Sequence, residues 1–279
     1  MIWVADSLGR PVARALLYPI CFYFVLSSGA ARRSVSRFRE RVVGRRASWL
    51  EMFRHFHVFA STILDRLYFL RARLDSFDIQ FRGLDVLDRE LAKGQGCVLL
   101  GAHLGSFEVV RAVGMFRRQL DIRVLMDEGN APMIRSLIQE LNPAVADTVI
   151  QIGGVETMLQ VKECLDRGGV VGVMGDRVTR NDQTVSCKFF GKDAQFPTGP
   201  IRLARVTRAP VILFFGLYRG GNRYEVHLEA CCLEETPACN PGEVNVARAV
   251  QQYADRLEEF CRQAPENWFN FYDFWHEGH

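Results

Sequence analysis

Four short apolar runs alternate with amphipathic stretches through the middle of this chain, and that alternation fixes the class of fold. Residues 98–100, 122–126, 148–152 and 170–174 read as buried strands by composition. Between them, apolar residues recur at helical spacing. They are Val109, Val110, Val113 and Phe116, then residues 132–141 opened by Pro132, then residues 155–165 closed by Gly168 and Gly169. The pattern predicts an α/β fold with a mostly parallel central sheet flanked by helices. Sites in such folds lie at the carboxyl ends of the strands.

The flanks extend the pattern. Residues 48–74 carry Trp49, Met52, Phe53, Phe56, Phe59, Ile63, Leu67 and Leu70 at helical spacing, residues 77–81 alternate as a strand does, and residues 84–92 form a short helix. Residues 210–218 and 224–228 read as a hairpin through Gly220 and Gly221, and residues 246–261 as an amphipathic helix. The aromatic tail, residues 268–275, suits either core packing or a lipid-facing belt. His55 and His57 have no carboxylate at ligand spacing, and no metal site is expected.

At 279 residues and 48% hydrophobic, the chain can bury a sizeable core. Its 8 cysteines include no CxxC pair, which fits a reduced, cytosol-facing protein without disulfides or structural zinc. The amino-terminal part differs from the rest. Residues 15–31 carry no charge, and Arg32, Arg33, Arg37, Arg39, Arg41, Arg45 and Arg46 follow, opposed only by Glu40. A membrane span needs about 20 apolar residues, so this stretch is marginal, and Pro19 would kink it. Three readings stand: a membrane anchor or interfacial helix beside an anionic cytoplasmic surface, a core helix with a solvated basic face, or a signal peptide. Basic residues after rather than before the apolar run argue against the last. No nucleic-acid-binding motif accompanies the arginines. The expected organisation is therefore a membrane-anchoring basic segment over residues 1–47, an amino-terminal helical extension, followed by one domain over residues 48–279.

The chemistry concentrates at 96–108, Gly-Cys-Val-Leu-Leu-Gly-Ala-His-Leu-Gly-Ser-Phe-Glu. His103 falls in a strand-to-helix turn and Glu108 at the start of the helix. Five residues along a continuous helix rotate by roughly 140°, so the two side chains meet only if Gly101 and Gly105 bend the backbone tightly. A carboxylate on Nδ1 would fix the histidine tautomer and free Nε2 as a base. Asp176 and Arg177 follow the strand at 170–174 and so belong to the same rim, where Arg177 can hold a phosphate or carboxylate while Asp176 orients it or a substrate hydroxyl. A third constellation is Phe189-Phe190-Gly191 followed by Phe196-Pro197-Thr198-Gly199-Pro200, in which Thr198 can cap a helix bearing Arg202, Arg205 and Arg208.

The H-x4-E motif of His103 and Glu108, the Gly175-Asp176-Arg177 loop, the Phe-Phe-Gly turn, the Phe-Pro-Thr-Gly-Pro helix start with Arg202-Leu203-Ala204, and the strand after Ala209-Pro210 occur in an order that resembles the lysophospholipid acyltransferase superfamily. The chain is most similar to its bacterial late lipid A acyltransferase branch, over roughly residues 10 to 276. The resemblance implies an enzyme at the cytoplasmic face of the inner membrane. It would transfer a fatty acyl group from an acyl carrier protein or coenzyme A thioester to a hydroxyl of a lipid or glycolipid acceptor, without a metal or other cofactor. It makes His103 the general base and Glu108 its orienting carboxylate, and assigns Asp176, Arg177, Thr198, Gly199 and Arg202 to substrate binding. Residues 127–130 lack an expected Arg and Ala102 stands where many lipid A enzymes have Asn, so a smaller or different lipid-linked hydroxyl stands beside lipid A as the expected acceptor. A thioester is already activated, so the site needs a base and positioning rather than a protein nucleophile. A lipid hydrolase or thioesterase using the same His103, or a non-catalytic lipid-binding assembly protein, are the competing readings.

Overall fold

The computed structural model describes residues 7–126, 138–179, 182–231 and 245–275. Its helices are α1 (Gly9–Ser27), α2 (Gly29–Val43), α3 (Trp49–Leu70), α4 (Leu84–Leu91), α5 (Phe107–Ala112), α6 (Gly154–Asp166), α7 (Gly199–Thr207) and α8 (Val246–Gln263), with a single turn at Pro143–Ala146. Its strands are β1 (Asp78–Arg82), β2 (Cys97–Gly101), β3 (Ile122–Met126), β4 (Val149–Gln151), β5 (Val170–Met174), β6 (Thr184–Phe189), β7 (Lys192–Pro197), β8 (Val211–Tyr218) and β9 (Arg223–Cys231).

Seven strands form one sheet in the order β1-β9-β8-β2-β5-β3-β4, and all its pairings are parallel except the β8–β9 hairpin. The expected α/β class and mostly parallel sheet are therefore present. Alternation along β2 shows why its composition is apolar throughout. Val98 and Leu100 face a core built with α6, α7 and α8, while Cys97 and Leu99 face the core shared with α1, α3, α4 and α5. The sequence reading of residues 132–141 falls largely outside the described residues, as do residues 127–130. The antiparallel pair β6–β7, turning at Phe190 and Gly191, was not expected from the sequence and forms a second sheet.

Pro19 lies inside α1 without ending it; the break comes at Ser28, and α1 and α2 meet at 92°. No single helix among the described residues is long and apolar enough to cross a membrane, and only this bent pair passes together on length and composition. One face of α1 (Ala13, Leu17, Cys21, Val25) packs into the core. Arg10 fastens it further, with Nε and Nη2 donating to the two oxygens of the buried Asp65 at 2.7 and 2.8 Å, where the Tyr224 hydroxyl also donates at 2.8 Å. Bidentate geometry and the full burial of Asp65 distinguish this pair from exposed ion pairs of little energetic worth.

The basic run is partly consumed inside the fold. Arg32 donates to the Val25 and Leu26 carbonyls that end α1, Arg39 is buried between Glu51 and Glu266, Arg45 meets Glu51, and Arg37 meets Asp273. Glu51 lies only a few residues on, but Glu266 and Asp273 lie more than 220 residues along the chain, where the sequence could not show them as partners. The opposite face of α1 stays exposed and uncharged, with Phe22 at 59% and Tyr23 at 64% exposure.

Candidate active site

The site follows from the register of two neighbouring strands. Gly101 at the end of β2 pairs with Met174 at the end of β5, and the Gly175 N–H continues the ladder to the Gly101 carbonyl at 2.9 Å. His103 and Asp176 each come two residues past that last pair, so the register alone sets them opposite one another. The His103 Nδ1 lies 2.8 Å from Asp176 Oδ1, and the His103 backbone N–H donates to Oδ2 at 3.0 Å. The Trp268 indole N–H donates to the same Oδ2 at 3.1 Å.

This arrangement decides the tautomer. An ionised carboxylate only accepts, so Nδ1 carries the proton and Nε2 presents its lone pair. The imidazole is about one-third exposed, at 33%, and Nε2 makes no hydrogen bond to a described residue. Burial alone would push the Asp176 carboxyl up, but the charge and hydrogen bonds of His103, with the nearby charge of Arg177, hold it below its ordinary range. Asp176 therefore stays an anion that can stabilise an imidazolium. By contrast, burial and Arg39 push the imidazole of His55 down to about 3, so it stays neutral inside the aromatic core.

Glu108 is not the partner of His103, and here the expected pairing is corrected. Gly105 adopts a left-handed φ of +69°, and a Cβ there would lie 1.9 Å from the Gly216 carbonyl oxygen. The tight bend, fixed by the Ser106 N–H donating to that carbonyl at 2.7 Å, turns the chain away before α5 begins. Glu108 then sits in the first turn of α5 between two guanidinium groups, Arg66 of α3 at 2.8 Å and Arg111 one turn along its own helix. Arg111 is 1% exposed. Burial works to raise the Glu108 carboxyl, but Arg111 and Arg66 outweigh it and hold it low. Glu108 is the centre of a buried ion cluster beside the His103 turn.

The other expected site residues fall into two groups. Asp176 belongs to the His103 pair rather than to Arg177, whose own Nη2 donates to the Phe269 carbonyl at 3.2 Å from an exposed position on the rim. Thr198 does not cap α7 with its side chain; its Oγ1 donates to the Gln183 carbonyl at 3.0 Å, fixing the start of the β6–β7 hairpin. Gly199 borders open space and Arg202 is exposed on the first turn of α7. No hydrogen bond among the described residues ties Thr198, Gly199 or Arg202 to His103 or Asp176.

Sequence reasoning missed the carboxy-terminal segment as part of the site. The Gly105 N–H donates to the Asn267 carbonyl and the Phe269 N–H to the His103 carbonyl, both at 2.8 Å, so residues 267–269 run antiparallel along the His103 turn. Asn267 is in turn locked to the end of β8, accepting from the Tyr218 N–H at 2.7 Å. Trp268, Phe269 and Phe274 are buried, which makes core packing, not a lipid-facing belt, the role of these rings. Nothing in local spacing pointed to Trp268, which lies 92 residues from the aspartate that it contacts.

A strand-end histidine held by a buried carboxylate, with its second nitrogen open, is the geometry of a general base. The sequence profile of the bacterial lipid A biosynthesis acyltransferases matches residues 47–277, most of the chain. The chain belongs to that family. It is also similar to the phosphatidylinositol mannoside acyltransferase of Mycobacterium tuberculosis strain ATCC 25618 / H37Rv, with 25% identity over 197 residues, covering 69% of this chain and 58% of that protein. The protein of the same description from strain CDC 1551 / Oshkosh gives 26% identity over the same coverage. The match thus spans less than two thirds of these relatives' length. In this member of an acyltransferase family, the two residues of the H-x4-E spacing serve different structural tasks: His103 at the open rim and Glu108 in the buried cluster.

Proposed function

We propose that this chain transfers a fatty acyl group from an acyl thioester, borne by acyl carrier protein or coenzyme A, to a hydroxyl of a lipid or glycolipid acceptor at the cytoplasmic face of the inner membrane. The single observation that carries this reading is the His103–Asp176 pair with Nε2 open at the strand ends. Nε2 takes the acceptor hydroxyl proton as the oxygen attacks the thioester carbonyl. The tetrahedral intermediate collapses with cleavage of the C–S bond, and the imidazolium returns its proton to the departing thiolate. Asp176 keeps its charge throughout and steadies the imidazolium. Arg177, exposed beside the pair, suits a phosphate on donor or acceptor, and Arg202 with Thr198 and Gly199 would line the neighbouring acceptor region. The names of the relatives support a phosphorylated glycolipid as the acceptor class.

The test is lipid mass spectrometry of cells carrying the wild-type chain or His103→Ala at equal expression. A lipid that loses one acyl unit in the variant is expected. An unchanged lipid profile would overturn the reading.

Residues 1–47 are assigned to the membrane surface and residues 48–279 to the acyltransferase domain. The exposed side of α1, with Phe22, Tyr23 and Phe24, carries no charge, and Trp49 and Leu50 at the start of α3 are also exposed. Arg10 and Arg14 of α1 donate to the Gly221 carbonyl in the turn after β8, at the same end of the sheet as His103. An interfacial helix at that end would bring lipid hydroxyls to the rim. Replacing Phe22, Tyr23 and Phe24 together with Ser is expected to lower sedimentation with anionic vesicles by at least about tenfold, given roughly 1.5–3 kcal/mol per fully buried large apolar side chain. Undiminished sedimentation would reject the assignment.

A further inference from the structure

We propose that Trp268 is a positioning residue for the reaction: its indole N–H holds the Asp176 carboxylate in the orientation that meets His103 Nδ1. The inference rests on the acyl-transfer reading above for its kinetic consequence, but its geometry stands independently. Oδ1 of Asp176 faces Nδ1, and Oδ2 receives two donors, the His103 backbone N–H and the Trp268 indole. The first of these belongs to the same turn as the imidazole and moves with it. Trp268 comes from a part of the chain far away in sequence, on a segment hydrogen-bonded to the turn at both His103 and Gly105. It therefore fixes the carboxylate relative to the turn, which the histidine cannot do for itself.

The indole has no freedom to let go. Trp268 is 1% exposed, with ring centroids of Phe38, Phe274 and Phe189 at 4.8, 5.0 and 5.4 Å. Phe38 lies on α2, and its neighbour Arg39 meets Glu266, two residues before Trp268. Helix α2 thus helps to build the seat of Trp268. Packing alone would be served by any large ring, whereas a buried indole N–H needs an acceptor, and here that acceptor is the carboxylate of the pair. Being buried, Trp268 does not touch substrate, so its removal acts on turnover and not on binding.

Three forms of the full chain separate the N–H from the ring: Trp268→Phe, 3-benzothienylalanine at position 268, which keeps the bicyclic shape but has sulfur in place of N–H, and 5-fluorotryptophan, which keeps the N–H. The expected result is a kcat lower by on the order of tenfold for the benzothienyl protein at unchanged KM, with the fold retained and the melting temperature lower by no more than a few degrees. The fluorotryptophan protein is expected to turn over near the wild-type rate, and Trp268→Phe to fall at least as far as the benzothienyl form. A benzothienyl protein with wild-type kcat would overturn the proposal. Nitrogen-15 NMR of the His103 ring gives a readout that needs no transfer. The Nδ1 proton is expected to exchange with water faster in the benzothienyl protein than in wild type, and equal exchange would overturn the positioning role. A wild-type chain that transfers no acyl group yet shows this tryptophan-dependent exchange would sink the acyl-transfer reading and leave the positioning role standing.

Discussion

Asp176→Asn is expected to lower kcat by on the order of a thousandfold to ten-thousandfold while leaving the melting temperature close to that of wild type. The reason lies in the donors around the carboxylate. The His103 and Trp268 N–H groups both point at Oδ2, so an asparagine must place its only oxygen there. Its NH2 group then faces Nδ1 and makes that nitrogen an acceptor. The imidazole proton moves to Nε2, and the atom that should remove the acceptor hydroxyl proton is already protonated. The shape of the site survives and its base does not. Steady-state transfer assays with a melting curve check this, and turnover within about tenfold of wild type would sink the assignment of Asp176.

Glu108→Ala is expected to act by a different route. It strips the carboxylate from two guanidinium groups, and Arg111, at 1% exposure, has no way to reach water. Removing one member of a buried pair costs about 3–5 kcal/mol, which for a chain of this size lowers the melting temperature by roughly 5–9 °C. Glu108→Leu combined with Arg111→Met should recover much of that loss, because it removes the stranded charge. The pH dependence has a definite sign. The folded state holds the Glu108 carboxyl below its ordinary value, so this stabilisation is complete above about pH 4, the unfolded value, and is lost as pH falls toward the folded one. Thermal melts of wild type between pH 6 and pH 3 should show that loss, and Glu108→Gln should show less of it. A Glu108→Ala chain that melts like wild type but transfers nothing would return Glu108 to the chemistry.

The contrast between these two carboxylates explains what could be read from the sequence and what could not. The apolar runs at β2, β3 and β5 and the intervening helical spacing carried the fold class, because parallel strands buried on both faces have a composition that few other elements share. The same reasoning placed His103 and Asp176 on one rim. It could not pair them, because pairing depends on the register Gly101↔Met174 between strands more than 70 residues apart in sequence (His103 and Asp176 are separated by 73). Glu108 was the nearer acid in the chain, and proximity in sequence misled once Gly105 turned the backbone. The segment 267–269 was legible only as aromatic. Its hydrogen bonds to the turn run through backbone groups, which leave no mark on composition. Part of the basic run after α1 is spent on ion pairs that the sequence could not assign, with Glu51 a few residues on and with Glu266 and Asp273 far along the chain.

The amino-terminal turns of α1, tied by Arg10 and Arg14 to the turn after β8, lie at the same end of the sheet as the open Nε2 of His103. That placement joins the two halves of the proposed function, a lipid surface and a base. It also makes acceptor dependence the sharpest prediction. The decisive measurement is thiol release from an acyl thioester by purified wild-type chain and His103→Ala, each with and without vesicles that contain the acceptor lipid. Release that requires the lipid, with stoichiometric acylation of it, and that disappears in His103→Ala is the predicted result. Release at the same rate without lipid, or persisting in His103→Ala, would contradict acyl transfer by a His103 base.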